Sequence, residues 1–139
     1  VLGIERATSS EFEPDSAHAV IHLMPDQEGK QMGGTMRLGA YPCRIADDSL
    51  MKAAYGTDFV SERHRHRYEF NNDYRSSVER EGMRITGTSP DGLLVETVEI
   101  PSNDFFVGVQ FHPEFKSRPN RAHPLYREFV AASLRHKKN

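Results

Sequence analysis

Phe105-Phe-Val-Gly-Val-Gln-Phe-His-Pro-Glu-Phe115 is an apolar run that ends in a polar pair, His112 and Glu114, placed around Pro113. Residues 105–111, rich in aromatic and β-branched side chains, predict a buried strand. Pro113 fixes its own φ and lacks an amide donor, so the strand is predicted to stop there. Side chains two apart on an extended chain share a face, which would let the Glu114 carboxylate reach the His112 imidazole. Open α/β sheets bind their ligands at the carboxyl ends of their strands. In a nucleophilic hydrolase such a His takes a proton from Ser or Cys, and the carboxylate orients the ring and stabilises its charged form.

No nucleophile accompanies the pair. The one cysteine, Cys43, sits in Ala40-Tyr-Pro-Cys-Arg-Ile45, with Pro before it and no glycine within two residues on either side. A nucleophile elbow is a strained, crowded turn that needs small flanking residues. Cys43 therefore reads as a small, half-buried strand residue. The serines supply no Gly-x-Ser-x-Gly either, so two parts of a triad stand without the third.

With 139 residues the chain is long enough for one ordinary core. No run of apolar residues reaches the ~18 that a membrane-spanning helix needs. Val1-Leu-Gly-Ile-Glu-Arg-Ala-Thr8 lacks both a starting Met and a long apolar segment, so no signal peptide is expected. A single cysteine offers no disulfide framework and fits a reducing, cytoplasmic setting. The net charge of -2 gives no general pull toward nucleic acid or an anionic membrane.

Outward from the opening stretch, Met83–Thr88 and Leu93–Ile100 predict two further strands, joined by the Ser89-Pro-Asp-Gly92 turn. Residues 1–18 read as loop, Ala19–Met24 as a strand closed by the turn-rich Pro25–Lys30, and Gly33–Ile45 as a second extended stretch. Ser49–Tyr55 reads as a short capped helix, Phe59–Phe70 as a long polar strand or loop, and Asp73–Glu81 as a helix stopped by Gly82. A last helix over Pro124–Lys137 carries Leu125, Phe129, Ala132 and Leu134 as an apolar stripe and basic residues at its end. The pattern alone leaves α/β and α+β both open. The abrupt start, with no strand-turn-helix unit before the first loop, suggests a truncated domain.

Four motifs carry a resemblance. Gln110-Phe-His-Pro-Glu-Phe115 is similar to the His-Pro-Glu end of class I glutamine amidotransferases, in which a Cys-His-Glu triad releases ammonia from glutamine. Ser9-Ser-Glu-Phe12, Gly33-Gly-Thr-Met-Arg-Leu-Gly39 and Glu62-Arg-His-Arg-His-Arg-Tyr-Glu-Phe-Asn71, in this order, resemble the carboxyl-terminal part of the CTP synthase family. The similarity covers essentially the whole chain. It implies the distal half of a flavodoxin-like, doubly wound α/β domain, with a mixed sheet and flanking helices over residues 1–139. The family's Gly-x-Cys-x-Gly elbow would lie upstream of Val1, and its synthetase domain resembles no part of this chain.

The resemblance assigns His112 as general base and then acid, Glu114 as its orienting partner, Glu11 as a contact near the ammonium group of L-glutamine, and Arg67 as the partner of the substrate α-carboxylate. Cys43 receives no role. The resemblance also implies a parent enzyme that makes CTP from UTP, ATP and glutamine-derived ammonia, with Mg2+ and ATP in the synthetase domain, GTP as an allosteric activator, a tetrameric homo-oligomer and a cytoplasmic location. No cofactor or metal is assigned to this chain, which would be inactive without the upstream thiol.

Rival readings stay open. The chain could come from another class I amidotransferase or a γ-glutamyl hydrolase. Arg63, Arg65 and Arg67 share one face if the segment is extended, with His64 and His66 on the other, and spacing does not say which arginine holds a carboxylate. With Tyr68 and Phe70 adjoining, the arginines could instead form a phosphate or nucleic-acid patch. Glu62, Glu69 and the acidic balance oppose that. A His64-x-His66 pair is weak grounds for a metal site. Gly33-Gly34-Thr35 lacks the spacing of a phosphate loop, and under the resemblance it would face the synthetase domain.

Overall fold

The computed structural model describes residues 3–23 and 36–138. Met24, the turn expected over Pro25–Lys30 and the Gly33-Gly34-Thr35 stretch lie outside the described residues. The elements are β1 (Thr8–Ser9), β2 (Ala19–Leu23), β3 (Arg37–Ile45), α1 (Leu50–Tyr55), β4 (Phe59–His66), β5 (Tyr68–Phe70), α2 (Arg75–Arg80), β6 (Arg84–Thr88), β7 (Val95–Glu99), β8 (Val107–Val109) and α3 (Pro124–His136).

Two sheets form. The larger has the order β4-β3-β6-β7-β8 and is antiparallel at every pairing; the smaller, β1-β2-β5, is parallel at β1/β2 and antiparallel at β2/β5. The α/β content, mixed pairing and flanking helices implied by the resemblance are all present, with the mixing confined to the small sheet. The short connection between β6 and β7 forces an antiparallel return. Between β6 and β7 the Ser89 hydroxyl accepts from Leu94 N (2.9 Å), Asp91 accepts from Leu93 N (3.0 Å), and Gly92 sits at φ 77°. Those bonds hold residues 93 and 94 in the turn, so β7 is shorter than Leu93–Ile100.

Strand alternation builds the core. On β3, Cys43 and Ile45 are buried while Leu38, Ala40, Pro42 and Arg44 face outward. Cys43 and Ile45 pack with Met51 and Ala54 of α1, Phe111, and Leu125 of α3. Cys43 is fully rather than half buried, because Gly87 on β6 leaves room for it: a Cβ there would lie 2.8 Å from the Cys43 sulfur and 2.5 Å from Thr97 Oγ1. Desolvation pushes the Cys43 thiol up to about 12, which leaves it inert.

Helix α1 is defined by its ends. Ser49 accepts from Lys52 N at 2.9 Å, and Gly56, in the left-handed region at φ 70°, closes the helix with a bond to Lys52 O. The Glu99 carboxylate of β7 accepts from both Leu50 N and Met51 N at 2.9 Å, fastening the first turn to the sheet. The helix expected over Asp73–Glu81 starts as a 3-10 turn at Asn72–Tyr74 before becoming α2. Of the expected α3 stripe, Leu125 and Ala132, seven apart, are buried, while Phe129 and Leu134 are exposed.

The large sheet curls on itself. β4 and β8 are its two end strands, yet the chain leaving β8 returns to β4, where the His112 amide donates to Arg63 O at 2.8 Å.

Candidate active site

β8 ends at Val109, and His112 is the extended residue (φ -110°, ψ 92°) preceding a 3-10 turn over Pro113–Phe115. The expected meeting of His112 and Glu114 occurs across this turn, not along a strand. Pro113 does stop the strand, and by occupying the first position of the turn it also starts the next element. Phe115 N bonds His112 O and Lys116 N bonds Pro113 O, both at 3.1 Å.

His112 Nδ1 and Glu114 Oε1 are 2.7 Å apart. The hydrogen bond from His112 is the main reason the Glu114 carboxyl titrates below its ordinary value. An ionised carboxylate only accepts, so Nδ1 carries the proton and Nε2 presents its lone pair. Phe115 stacks on the imidazole with ring centroids 4.9 Å apart and planes at 21°. The His112 side chain is 37% exposed, so a reacting group can approach it. The arrangement is a base held in one tautomer by a carboxylate.

Behind the pair, the inward side chains of β4 supply two buried polar clusters. As alternation predicts, Glu62 and His64 are buried and Arg63 and Arg65 are exposed. In the first cluster Arg37 bridges Glu96 and Glu69 (3.3 Å to the latter), and His66 Nε2 lies 2.9 Å from Glu69. His64, ringed by Tyr41, His66 and Phe111, is held down to about 3 by burial first and then by the Arg37 charge. It is therefore neutral at pH 7. At 3.7 Å from Glu96 Oε2 it forms neither an ion pair nor a hydrogen bond. Burial raises the Glu96 carboxyl although Arg37 opposes the shift.

The second cluster centres on Glu62, whose Oε1 receives Tyr55 Oη at 3.0 Å, Lys116 Nζ at 3.2 Å and His123 Nε2 at 3.3 Å. Burial alone would raise this carboxyl, but the bonds from His123, Lys116 and Tyr55 outweigh it and the net shift is downward. His123 Nδ1 accepts from Leu125 N, so its proton lies on Nε2, toward Glu62. Burial and the Glu62 charge keep the Tyr55 phenol protonated. Sequence reasoning missed Lys116, Tyr55 and His123, which join Glu62 only through the fold.

The other expected site residues are placed but not joined to the pair. Glu11 is exposed in the turn after β1, its amide on Ser9 Oγ at 3.2 Å. Arg67 is half-buried at the bend between β4 and β5. The contacts among described residues link neither to His112 or Glu114. Among the described residues, no group of three or more His, Cys, Asp and Glu side chains is placed to hold a metal ion, and no helix is long and apolar enough to cross a membrane.

An α/β domain presenting this pair matches a known class, and the chain belongs to the class-I glutamine amidotransferase family, whose sequence model, Glutamine amidotransferase class-I, matches residues 12–132. Its similarity within that class is to CTP synthase. It is 56% identical over 140 residues to the CTP synthases of Staphylococcus aureus strains JH9 and Newman, an alignment covering 100% of this chain and 26% of each relative. The chain thus spans about a quarter of the length of the curated relatives it matches. Its structure matches the Trypanosoma brucei CTPS glutaminase domain with bound acivicin at a TM-score of 0.88 and 40% identity, over 97% of this chain and 53% of that one.

Proposed function

We propose that this chain carries the base half of a glutaminase, with His112 and Glu114 acting on a cysteine thiol supplied by polypeptide outside residues 1–139. The supporting observation is the 2.7 Å contact that fixes the proton on His112 Nδ1 and leaves Nε2 as a base on an accessible ring. His112 Nε2 takes the thiol proton as sulfur attacks the carboxamide carbon of glutamine, and returns it to the departing nitrogen, which leaves as ammonia. His112 then deprotonates the water that hydrolyses the glutamyl thioester, releasing glutamate and restoring the thiol. Glu114 holds the tautomer and stabilises the imidazolium.

Cys43 is not that thiol, because it is fully buried in the core and its proton is held tightly. Glu11 and Arg67 would meet the ammonium and carboxylate of glutamine; in support, each follows a strand's carboxyl end, as His112 does after β8. In a CTP synthase the ammonia would aminate a UTP activated by ATP with Mg2+, under GTP activation, in a cytoplasmic tetramer. No step assigned to this chain's residues passes through those nucleotides.

Ammonia release from glutamine by the chain alone, and by the chain mixed with a polypeptide carrying the Gly-x-Cys-x-Gly segment, tests the reading. Release only from the mixture is expected. Release by the chain alone would place a nucleophile within these residues and overturn it. A silent mixture in which the two polypeptides demonstrably associate would overturn it as well.

A further inference from the structure

We propose that Lys116 is a positioning residue for glutamine hydrolysis, its ammonium clamping the turn that carries His112 and Glu114 against β4. The inference rests on the glutaminase reading above. The turn has no side-chain cap of its own: His112, at its cap position, makes no capping hydrogen bond. Pro113 is buried and Tyr126 of α3 bonds the Glu114 carboxylate, while a pair of anchors on consecutive stretches of one strand ties the turn to β4. At its start, the His112 amide donates to Arg63 O at 2.8 Å. At its end, Lys116 Nζ donates to Ser61 O at 2.7 Å and to Glu62 Oε1 at 3.2 Å. The backbone bond at the first anchor fixes where the imidazole begins. Without the second, the end of the turn loses its tie to β4 and the alignment of Glu114 with Nδ1 loosens.

The second anchor is rigid because its receiving carboxylate is. Glu62 is 1% exposed and is held by Tyr55 from the end of α1 and His123 from the start of α3. The same His123 has its amide on Ser117 Oγ at 3.2 Å, one residue beyond Lys116. Lys116 is thus the link between the turn and a carboxylate held by residues of two helices' ends. Its own side chain is 43% exposed, so substituting it removes the clamp without opening the core.

Two measurements on Lys116→Met and Lys116→Arg decide the matter. The first is hydrogen exchange of the His112 amide in this chain, which needs no nucleophile. The second is glutamine turnover in the chain reconstituted with the thiol-bearing polypeptide. Lys116→Met is expected to speed His112 amide exchange at least about tenfold while the amides of β6 and β7 keep theirs, because only the turn's opening becomes easier. It is expected to lower kcat roughly 10- to 100-fold with KM within about twofold, the signature of a misplaced base. Lys116→Arg, which keeps a charged donor, should recover most of both. Unchanged exchange and unchanged kcat in Lys116→Met would overturn the proposal, as would an equal loss in Lys116→Arg. If the unsubstituted mixture shows no glutaminase, the glutaminase reading fails by itself, and exchange still shows whether Lys116 holds the turn.

Discussion

Acidification should unfold this protein through one buried histidine, and His64→Phe should remove that sensitivity. His64 is 2% exposed, neither ring nitrogen has a hydrogen-bond partner, and its folded-state value of about 3 lies well below the ordinary 6.5. The unfolded chain therefore binds the proton first. The stabilisation from keeping His64 neutral is complete above pH 6.5 and is lost as the pH falls from there toward 3. Each pH unit inside that window removes up to about 1.4 kcal/mol, so moving from pH 7 to pH 5 removes about 2 kcal/mol. With a typical urea m-value near 2 kcal/mol/M, the midpoint should drop by roughly 1 M over that range. Phenylalanine suits the site, since Tyr41 and Phe111 already pack edge-on against the ring. Urea unfolding of both proteins at half-unit pH steps gives the comparison, and the wild-type curve should fall more steeply by the amount stated. Parallel curves between pH 7 and pH 5 would refute the reasoning, because the other histidines are common to both proteins.

Glu114→Gln should cut glutamine turnover in the reconstituted enzyme on the order of 10⁴-fold, as for the carboxylate of other triads; steady-state ammonia release measures it. Glu96→Gln should change a pH dependence in the opposite sense from His64. The Glu96 carboxyl is raised above its ordinary 4.5, so its contribution is present at low pH and lost as pH rises through the folded value, and the stability of the wild type relative to the variant should decline as pH rises above 4.5 in urea titrations. Glu99→Leu strips two amides of α1 of their acceptors and should cost about 2 kcal/mol by chemical unfolding. Gly56→Ala should cost about 1 kcal/mol in the same assay, entirely through backbone conformation, since an added Cβ would meet nothing within 4 Å.

Much of this architecture was legible from residue order. The alternation in Glu62-Arg-His-Arg-His66 told which side chains share a face, and the capped-helix pattern over Ser49–Tyr55 located α1, because both depend on neighbours a few residues away. The capacity of His112 to meet Glu114 was legible too, though the geometry was not. Pro113 signals both a strand's end and a turn's first position, and only the packing of the buried Pro113 and Phe111 selects the turn. Strand direction in the large sheet, the exposure of Phe129 and Leu134 on α3 and the cluster around Glu62 depend on contacts between residues far apart in sequence. Glu62 and His123 are 61 positions apart, and no local pattern marks either as the other's partner.

The return of the chain from β8 to β4 has a consequence for how this protein behaves in company. An end strand normally exposes unpaired carbonyls that recruit strands from other molecules. Here the outer edge of β4 is occupied at Arg63 O by the His112 amide and at Ser61 O by Lys116. A foreign strand seeking that edge must first evict the turn that holds the imidazole. Displacement of His112 should therefore precede visible aggregation, and a ligand that steadies the turn should slow both.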